Sequence, residues 1–588
     1  GESSRLYQKL FYEKSLVTGT SASVYIPKDP GMFLVSAELK RTGDFIPVLK
    51  LLQEEIHSIA AGDVKKDEID RVMANIESEK LYATQTVDGL AGRLGFLRFS
   101  LGDLRFDTEY LDHIKQATPS TLKRLAHEYL GADRMSLVLF QPENEKPVKF
   151  EEAQSIAGRL PKVKPASIPK FKPKESLQPE IFTTPGGLQV SYFERPGTPV
   201  YSLHASAFGG SRSELTLSPR YYGASNLLAH TWAKGTARLN SKEISRIVEG
   251  SAASLDGFGG RNTIGLQSTG LVRDWEKLSS LFSEILLEPA FPEDEIQHSK
   301  RVTEEQIRSI PDHSSQVCSK LFMENLFEQH PYGKHPLGSL EQLAVLGRDD
   351  LRSLHETFIT PKNMALSITG GVSKDEVESW LTELDSELAK RKSTFSQGLL
   401  APPPPLKAPR WAGAEFGREQ THIMVGGLGL SMHHEERYAL RILQNILGGQ
   451  SGRLFIELRE KRSMAYSVAP LSMEGIETGY VGTYIACAPG KKDEALKGMR
   501  TVLEELARKG PAKSEMERAK NYYLGQRAMD LQSSWSIASS FGLELLYKDR
   551  VTLESDVRKR VNRVTASAVQ KVCERLYLAA PQVTVVVS

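Results

Sequence analysis

The two ends of this 588-residue chain repeat each other. Residues 1–18 (GESSRLYQKLFYEKSLVT) align without gaps to residues 449–466 (GQSGRLFIELREKRSMAY), 449 against 1, an offset of 448. Two segments that share such a pattern share a local fold, so the architecture of one end constrains the other. The likeness continues downstream. Leu49, Leu52, Ile56 and Ile59 form an apolar stripe at 3-4-3 spacing, the period of a helix packed on one face, and Leu496, Met499, Leu503 and Leu506 do the same. Each stripe follows an alternating, strand-like run, residues 32–39 and 480–487. Each piece closes with a predicted helix and strand: 118–130 then 135–140, and 565–576 then 583–587.

The first piece is short by two elements. Residue 449 is preceded by a predicted strand at 421–428 and a helix at 435–447, and the first piece has neither. The chain is therefore expected to begin inside a domain. A sheet missing a strand exposes an edge and an apolar face, which other polypeptide is expected to complete.

Two Pro-rich segments divide the chain. One contains PKVKPASIPKFKPKESLQP, rich in Lys and Pro, and the other contains Ala-Pro-Pro-Pro-Pro-Leu-Lys-Ala-Pro; both are expected to be extended. The predicted organisation is a domain at 1–140 incomplete at its N-terminus, a linker at 141–180, a domain at 181–388, a linker at 389–410 and a domain at 411–588. In the middle domain, strands are expected at 188–193, 201–207 and 364–369, with helices at 221–233, 241–249, 275–287 and 293–309. Strands alternating with helices predict the α+β class, with each domain a sandwich of one sheet and helices packed on a face.

Residues 226–236, Asn-Leu-Leu-Ala-His-Thr-Trp-Ala-Lys-Gly-Thr, outline a metal-binding helix of the inverted type, His-x-x-Glu-His. In that motif the two histidines, four apart, reach one zinc ion from one helix face, and the glutamate activates a water. Here Asn226 stands at the first histidine position, Ala229 at the glutamate position, and only His230 remains. A carboxamide is a poor zinc ligand and a methyl group cannot take a proton.

These residues, together with residues 210–214 (Gly-Ser-Arg-Ser-Glu, expected as a turn), the segment 254–266 and the loop His330-Pro331-Tyr332-Gly333, resemble the insulinase/pitrilysin family of zinc metallopeptidases. The resemblance covers nearly the whole chain apart from the linkers. It implies four homologous α+β domains in two halves that close around a substrate. This chain looks like the second, third and fourth, without the zinc-bearing first. The family's third ligand, a glutamate, would fall near Glu304 and Glu305. With Asn226 and Ala229 in place, the resemblance implies no functional zinc site here, and Zn²⁺ bound outside this chain. It also places an Arg and a Tyr seven apart in the last domain, and Arg459 and Tyr466 fit. An arginine is a permanent planar cation suited to substrate backbone carbonyls. A tyrosine hydroxyl can donate to the oxyanion of a tetrahedral intermediate. In the first piece the same positions are Phe11 and Thr18, which can do neither.

The expected function is the non-zinc portion of a zinc metalloendopeptidase acting on peptides or unfolded proteins, partnered by a zinc-bearing domain or separate subunit. The alternative is a non-catalytic structural or binding subunit, which has no reason to keep Arg459 and Tyr466.

Other classes find no support. Lys+Arg is 75 against Asp+Glu 73, so no overall field favours nucleic acid. No apolar run reaches the ~18–20 residues of a transmembrane helix. Cys318, Cys487 and Cys573 fit no metal or redox spacing and read as buried thiols. The cluster Met432-His433-His434-Glu435-Glu436 reads as solvated residues ahead of a helix, and His330 and His335 as structural. Neither a P-loop nor a nucleophile elbow is present.

Overall fold

In a computed structural model, residues 3–26, 31–130, 136–138, 140, 178–391, 395, 398–548 and 550–588 are described. The expected 141–180 linker therefore lies almost wholly outside the described residues. The chain forms two compact units: Gly1–Glu175 with Ser245–Ala253, and Ser176–Ile244 with Ser254–Ser588.

In the first unit a widened helical turn, Tyr7–Glu13, leads into β1 (Val17–Tyr25) and β2 (Met32–Leu39), a two-stranded antiparallel sheet. Helices follow at Phe45–Ala61, Lys66–Ala83, Val87–Phe96, Phe106–Lys115 and Pro119–Tyr129. Their ends carry the signals that stop and start helices. Gly62 closes the first in a left-handed conformation, φ +93°, and Thr118 caps the last ahead of Pro119. A small core of Leu10, Val17 and Val48 anchors the hairpin to the first helix.

Two expectations for this unit need correction. Residues 136–138 and 140 carry no strand; Met135 and Leu139 lie outside the described residues. The reason is visible at the other end of the chain, where the matching strand pairs with two neighbours that have no counterpart among the described residues here. The stripe Leu49, Leu52, Ile56 and Ile59 is only half-buried, and the fully buried positions of that helix are Val48 and Glu55. Glu55 is buried because Arg5 and Lys9 neutralise it, a pairing that hydrophobic periodicity does not register.

The second unit holds two sheets. The first comprises β3 (Glu180–Thr183), β4 (Gln189–Glu194), β5 (Val200–Phe208), β6 (Ser254–Gly259), β7 (Thr263–Leu271) and β8 (Met364–Gly370) in the order β3-β4-β8-β5-β7-β6, with only β4 and β8 parallel. The second comprises β9 (Arg410–Ala414), β10 (Thr421–Leu428), β11 (Ala465–Met473), β12 (Tyr480–Cys487) and β13 (Val583–Val587) in the order β11-β12-β10-β13-β9. Residues 398–406, within the second Pro-rich segment, form neither helix nor strand. The helices Trp275–Leu287 and Glu293–Ser309 match their predicted limits.

Each sheet has helices on one face, as the sandwich predicts. The other face is covered by exchange. Helix Ser314–Phe327, which follows the first sheet's β7, lays Cys318, Phe322 and Met323 against Met424, Val583 and Val585 of the second sheet. Helix Ser534–Lys548, from the C-terminal segment, lays Leu545 and Leu546 against Ala365 of β8 in the first sheet. With both faces covered, β5 and β8 are buried along almost their whole length. A buried ion pair adds to the joint. The guanidinium of Arg212 meets the carboxylate of Glu477 on the β11–β12 connection and donates to Gly398 O at 2.7 Å. Burial raises the Glu477 carboxyl, but Arg212 and the Leu400 N–H outweigh it and hold the group below its ordinary value. Residues 210–214, expected as a turn, begin the helix Gly210–Leu217 instead, because Gly210 at φ +72° lets the chain turn directly into it.

The repeat extends well past its 18-residue core. The offset of 448 relates β1 to β11, β2 to β12 and the helix Phe106–Lys115 to Glu554–Arg563 residue for residue. Helices Phe45–Ala61 and Lys66–Ala83 match Lys492–Lys509 and Lys513–Asp530 to within one residue at each end. What differs is the cover. β12 is paired on both edges, by β10 and β11, whereas β2 has a single partner among the described residues. Phe33 is 45% exposed where its counterpart Val481 is fully buried.

Candidate functional site

Two places carry the chemistry the sequence points to. The first is the helix Ala224–Thr231. Its start is held by Glu214, whose carboxylate accepts from Gly223 N at 2.7 Å and Ser225 N at 2.6 Å. Burial pushes Glu214 up to about 7, while those two backbone donors pull the other way. The helix lies close on β6 because Gly257 and Gly259 have no side chains; a Cβ built on Gly259 would meet the methyl of Ala229 at 3.2 Å.

The positions where a zinc site would be built are occupied as follows. The amide nitrogen of Asn226 is buried and has no hydrogen-bond partner among the described residues. Ala229 is buried against β6, and His230 is exposed on the last turn. On the helix Glu293–Ser309, Glu305 is exposed and Glu304 pairs with Arg308 at 3.6 Å. Among the described residues no three His, Cys, Asp or Glu side chains gather as a metal site. One imidazole beside a carboxamide and a methyl does not fit zinc, which takes three protein ligands and a water.

The second place is the turn and strand that carry Arg459 and Tyr466, which the structure brings together. Residues Phe455–Glu460 form a widened helical turn, with Lys461 N donating to Ile456 O five residues back at 3.0 Å. Such turns relax the ordinary helical spacing and recur at functional sites. Leu454 and Leu458 anchor it in the core, and Arg459 is exposed. Ser463, at φ +47°, turns the chain into β11. There the pairing with β12 slips between Ala465 and Ser467, so Tyr466 sits in a bulge. The bulge frees its side chain, which is 77% exposed. Arg459 Nη1 donates to the backbone carbonyl of Tyr466 at 2.9 Å, and its guanidinium lies 4.9 Å from the centre of the Phe455 ring.

The sister copy has the same backbone without the chemistry. Lys14 N closes the widened turn on Lys9 O at 3.0 Å, Ser15 has φ +51°, and β1 bulges between Val17 and Gly19. Phe11 and Thr18 occupy the Arg459 and Tyr466 positions, and Phe11 stacks on Tyr7 with ring centres 4.6 Å apart. Sequence reasoning passes over Phe455. The signal was present as a repeated aromatic four residues before the key position, Tyr7 before Phe11 and Phe455 before Arg459.

A family profile described as "Peptidase M16 inactive domain" matches residues 1–76 and 346–523, and one described as "Insulinase (Peptidase family M16)" matches residues 206–339. The chain belongs to the insulinase-like M16 peptidase family. The inactive-domain profile takes in the start of both copies of the repeat, in keeping with their shared geometry. Among similar proteins, an uncharacterized zinc protease of Mycobacterium leprae is 27% identical over 401 residues, 67% of this chain and 88% of that protein. One of Bacillus subtilis is 25% identical over 405 residues, 67% of this chain and 95% of that protein. A solved peptidase M16 inactive domain from Pseudomonas fluorescens superposes with a TM-score of 0.65 at 20% identity, over 70% of this chain and 98% of its own. A protease from Helicobacter pylori gives 0.62 at 19%, over 70% of this chain and all of its own. The M16 family is one of zinc proteases, and this chain has its α+β sandwich fold.

Proposed function

We propose that this chain is the non-zinc portion of an M16 metalloendopeptidase and supplies groups that bind extended peptide and stabilise the transition state. The observation that carries the reading is the Arg459–Tyr466 arrangement. A bulge exposes the tyrosine, and its carbonyl is tied to an arginine whose other N–H groups have no partner among the described residues. The sister copy keeps the backbone and lacks both groups, so the fold alone does not require them. Arg459 would hold a substrate backbone carbonyl, and the Tyr466 hydroxyl would donate to the oxygen that gains charge.

The zinc, with its activated water, would belong to a partner domain carrying His-x-x-Glu-His. The substrate would be a peptide or an unfolded protein. A non-catalytic binding subunit is the second reading, favoured by the metal-poor helix Ala224–Thr231.

The test is the chain by itself and then reconstituted with a zinc-bearing M16 domain. Alone it should bind no stoichiometric zinc and cleave no peptide, and cleavage should appear on reconstitution. One tightly bound zinc per chain with hydrolysis in isolation would overturn the proposal.

A further inference from the structure

The widened turn that carries Arg459 presents a second side chain outside the core. Leu454 and Leu458 of this turn belong to the core cluster; Phe455 between them does not, and its ring is only half-buried. Packing therefore does not account for an aromatic there. What the ring does touch is the guanidinium of Arg459, at 4.9 Å from its centre.

We propose that Phe455 is a positioning residue that holds Arg459 in place beside the bulge that presents Tyr466. This rests on the roles given above to Arg459 and Tyr466. An exposed arginine on a helical turn samples many rotamers and loses that freedom when it binds. A ring beneath the guanidinium restricts it beforehand, since cations sit favourably on an aromatic face within about 6 Å. The arrangement is set by the backbone of the turn. In the sister copy Tyr7 and Phe11, at the same positions, stack with an interplanar angle of 24°. The turn thus lays residue i+4 over the ring at i whether that residue is a phenylalanine or an arginine. In the copy that carries Arg459 the guanidinium lies 4.9 Å from the ring centre and gives one N–H to the Tyr466 carbonyl. The remaining donors stay available for a peptide carbonyl.

The test uses Phe455→Leu, Phe455→Tyr and Arg459→Ala, each in the reconstituted peptidase and in this chain alone. In the peptidase, Phe455→Leu should raise KM for peptide about two- to fivefold, the size of an exposed cation–π contact, with an unchanged thermal midpoint. Phe455→Tyr should match the parent, and in an Arg459→Ala background Phe455→Leu should add nothing further. In the chain alone, the Arg459 Nε–H resonance should shift and broaden in Phe455→Leu and not in Phe455→Tyr. If Phe455→Leu disturbs folding, Phe455→Met retains apolar volume without a ring.

An unchanged KM together with an unchanged Arg459 resonance in Phe455→Leu would overturn the proposal. So would an equal loss in Phe455→Tyr, or a full effect persisting without Arg459. Should Arg459→Ala itself leave kcat/KM untouched while the Arg459 resonance still responds to Phe455→Leu, the catalytic reading fails and the positioning stands.

Discussion

His204 on β5 and His355 in the helix Arg348–Phe358 are buried imidazoles, held neutral down to about 4 and about 3 by loss of solvent, with Arg391 adding to the effect at His355. In the unfolded chain an imidazole titrates near 6.5. Below that pH the unfolded state binds protons that the fold refuses, so each group removes about 1.4 kcal/mol of stability per pH unit. Glu214 acts in the opposite sense, because its folded carboxyl takes up a proton below about 7 and its unfolded one only near 4.5. Between pH 6.5 and 4.5 two imidazoles act against one carboxyl, a net loss of about 1.4 kcal/mol per pH unit. Buried His330 and half-buried His335, also pushed down by desolvation, add to it in the same direction. Urea denaturation at pH 6.5, 5.5 and 4.5 should show this decline; stability that stays level or rises would contradict these protonation states. At this scale Arg459 and Tyr466 entered as candidates through the family resemblance and their place in the repeat. The stacking on Phe455 and the bond to the Tyr466 carbonyl were not legible, because spacing reports neither rotamer nor bulge.

Among the elements, the exchanged helices decide how the second unit holds together. Helix Ser534–Lys548 approaches the first sheet at Gly542, where a Cβ would meet His204 Nδ1 at 3.2 Å and Ser367 Cβ at 3.3 Å. Gly542→Leu should overfill that contact and cost about 1–3 kcal/mol. Because the helix is shared, thermal unfolding of both sheets should shift together in one transition. Calorimetry showing one sheet's transition displaced and the other's unmoved would contradict this coupling. Periodicity located the helices Trp275–Leu287 and Glu293–Ser309 at their observed ends, since those report only their own apolar face. It could not show which sheet a helix covers, because Phe322 shares a cluster with Val585, and Leu545 with Ala365, across long stretches of chain. The expected strand at 135–140 failed for a related reason: its valine-rich counterpart Val583–Val587 is a strand because β10 and β9 flank it.

Across the whole molecule, the repeat and the domain order carried most of what sequence could show of the fold. The resemblance added the expectation of a division of labour between a metal-bearing domain and one with Arg and Tyr. The structure adds a contrast between two copies of one backbone: one has Arg459 and an exposed Tyr466, the other Phe11 and Thr18. That contrast is the basis of the proposal that transition-state chemistry belongs to this chain and zinc to a partner. The measurement that bears on it most directly is kcat of the reconstituted peptidase with Tyr466→Phe, a change that removes one hydroxyl and leaves the bulge and Arg459 in place. A fall in kcat on the order of ten- to a thousandfold, with zinc content unchanged, is the predicted result; an unaltered kcat would contradict it and leave the pair a structural feature.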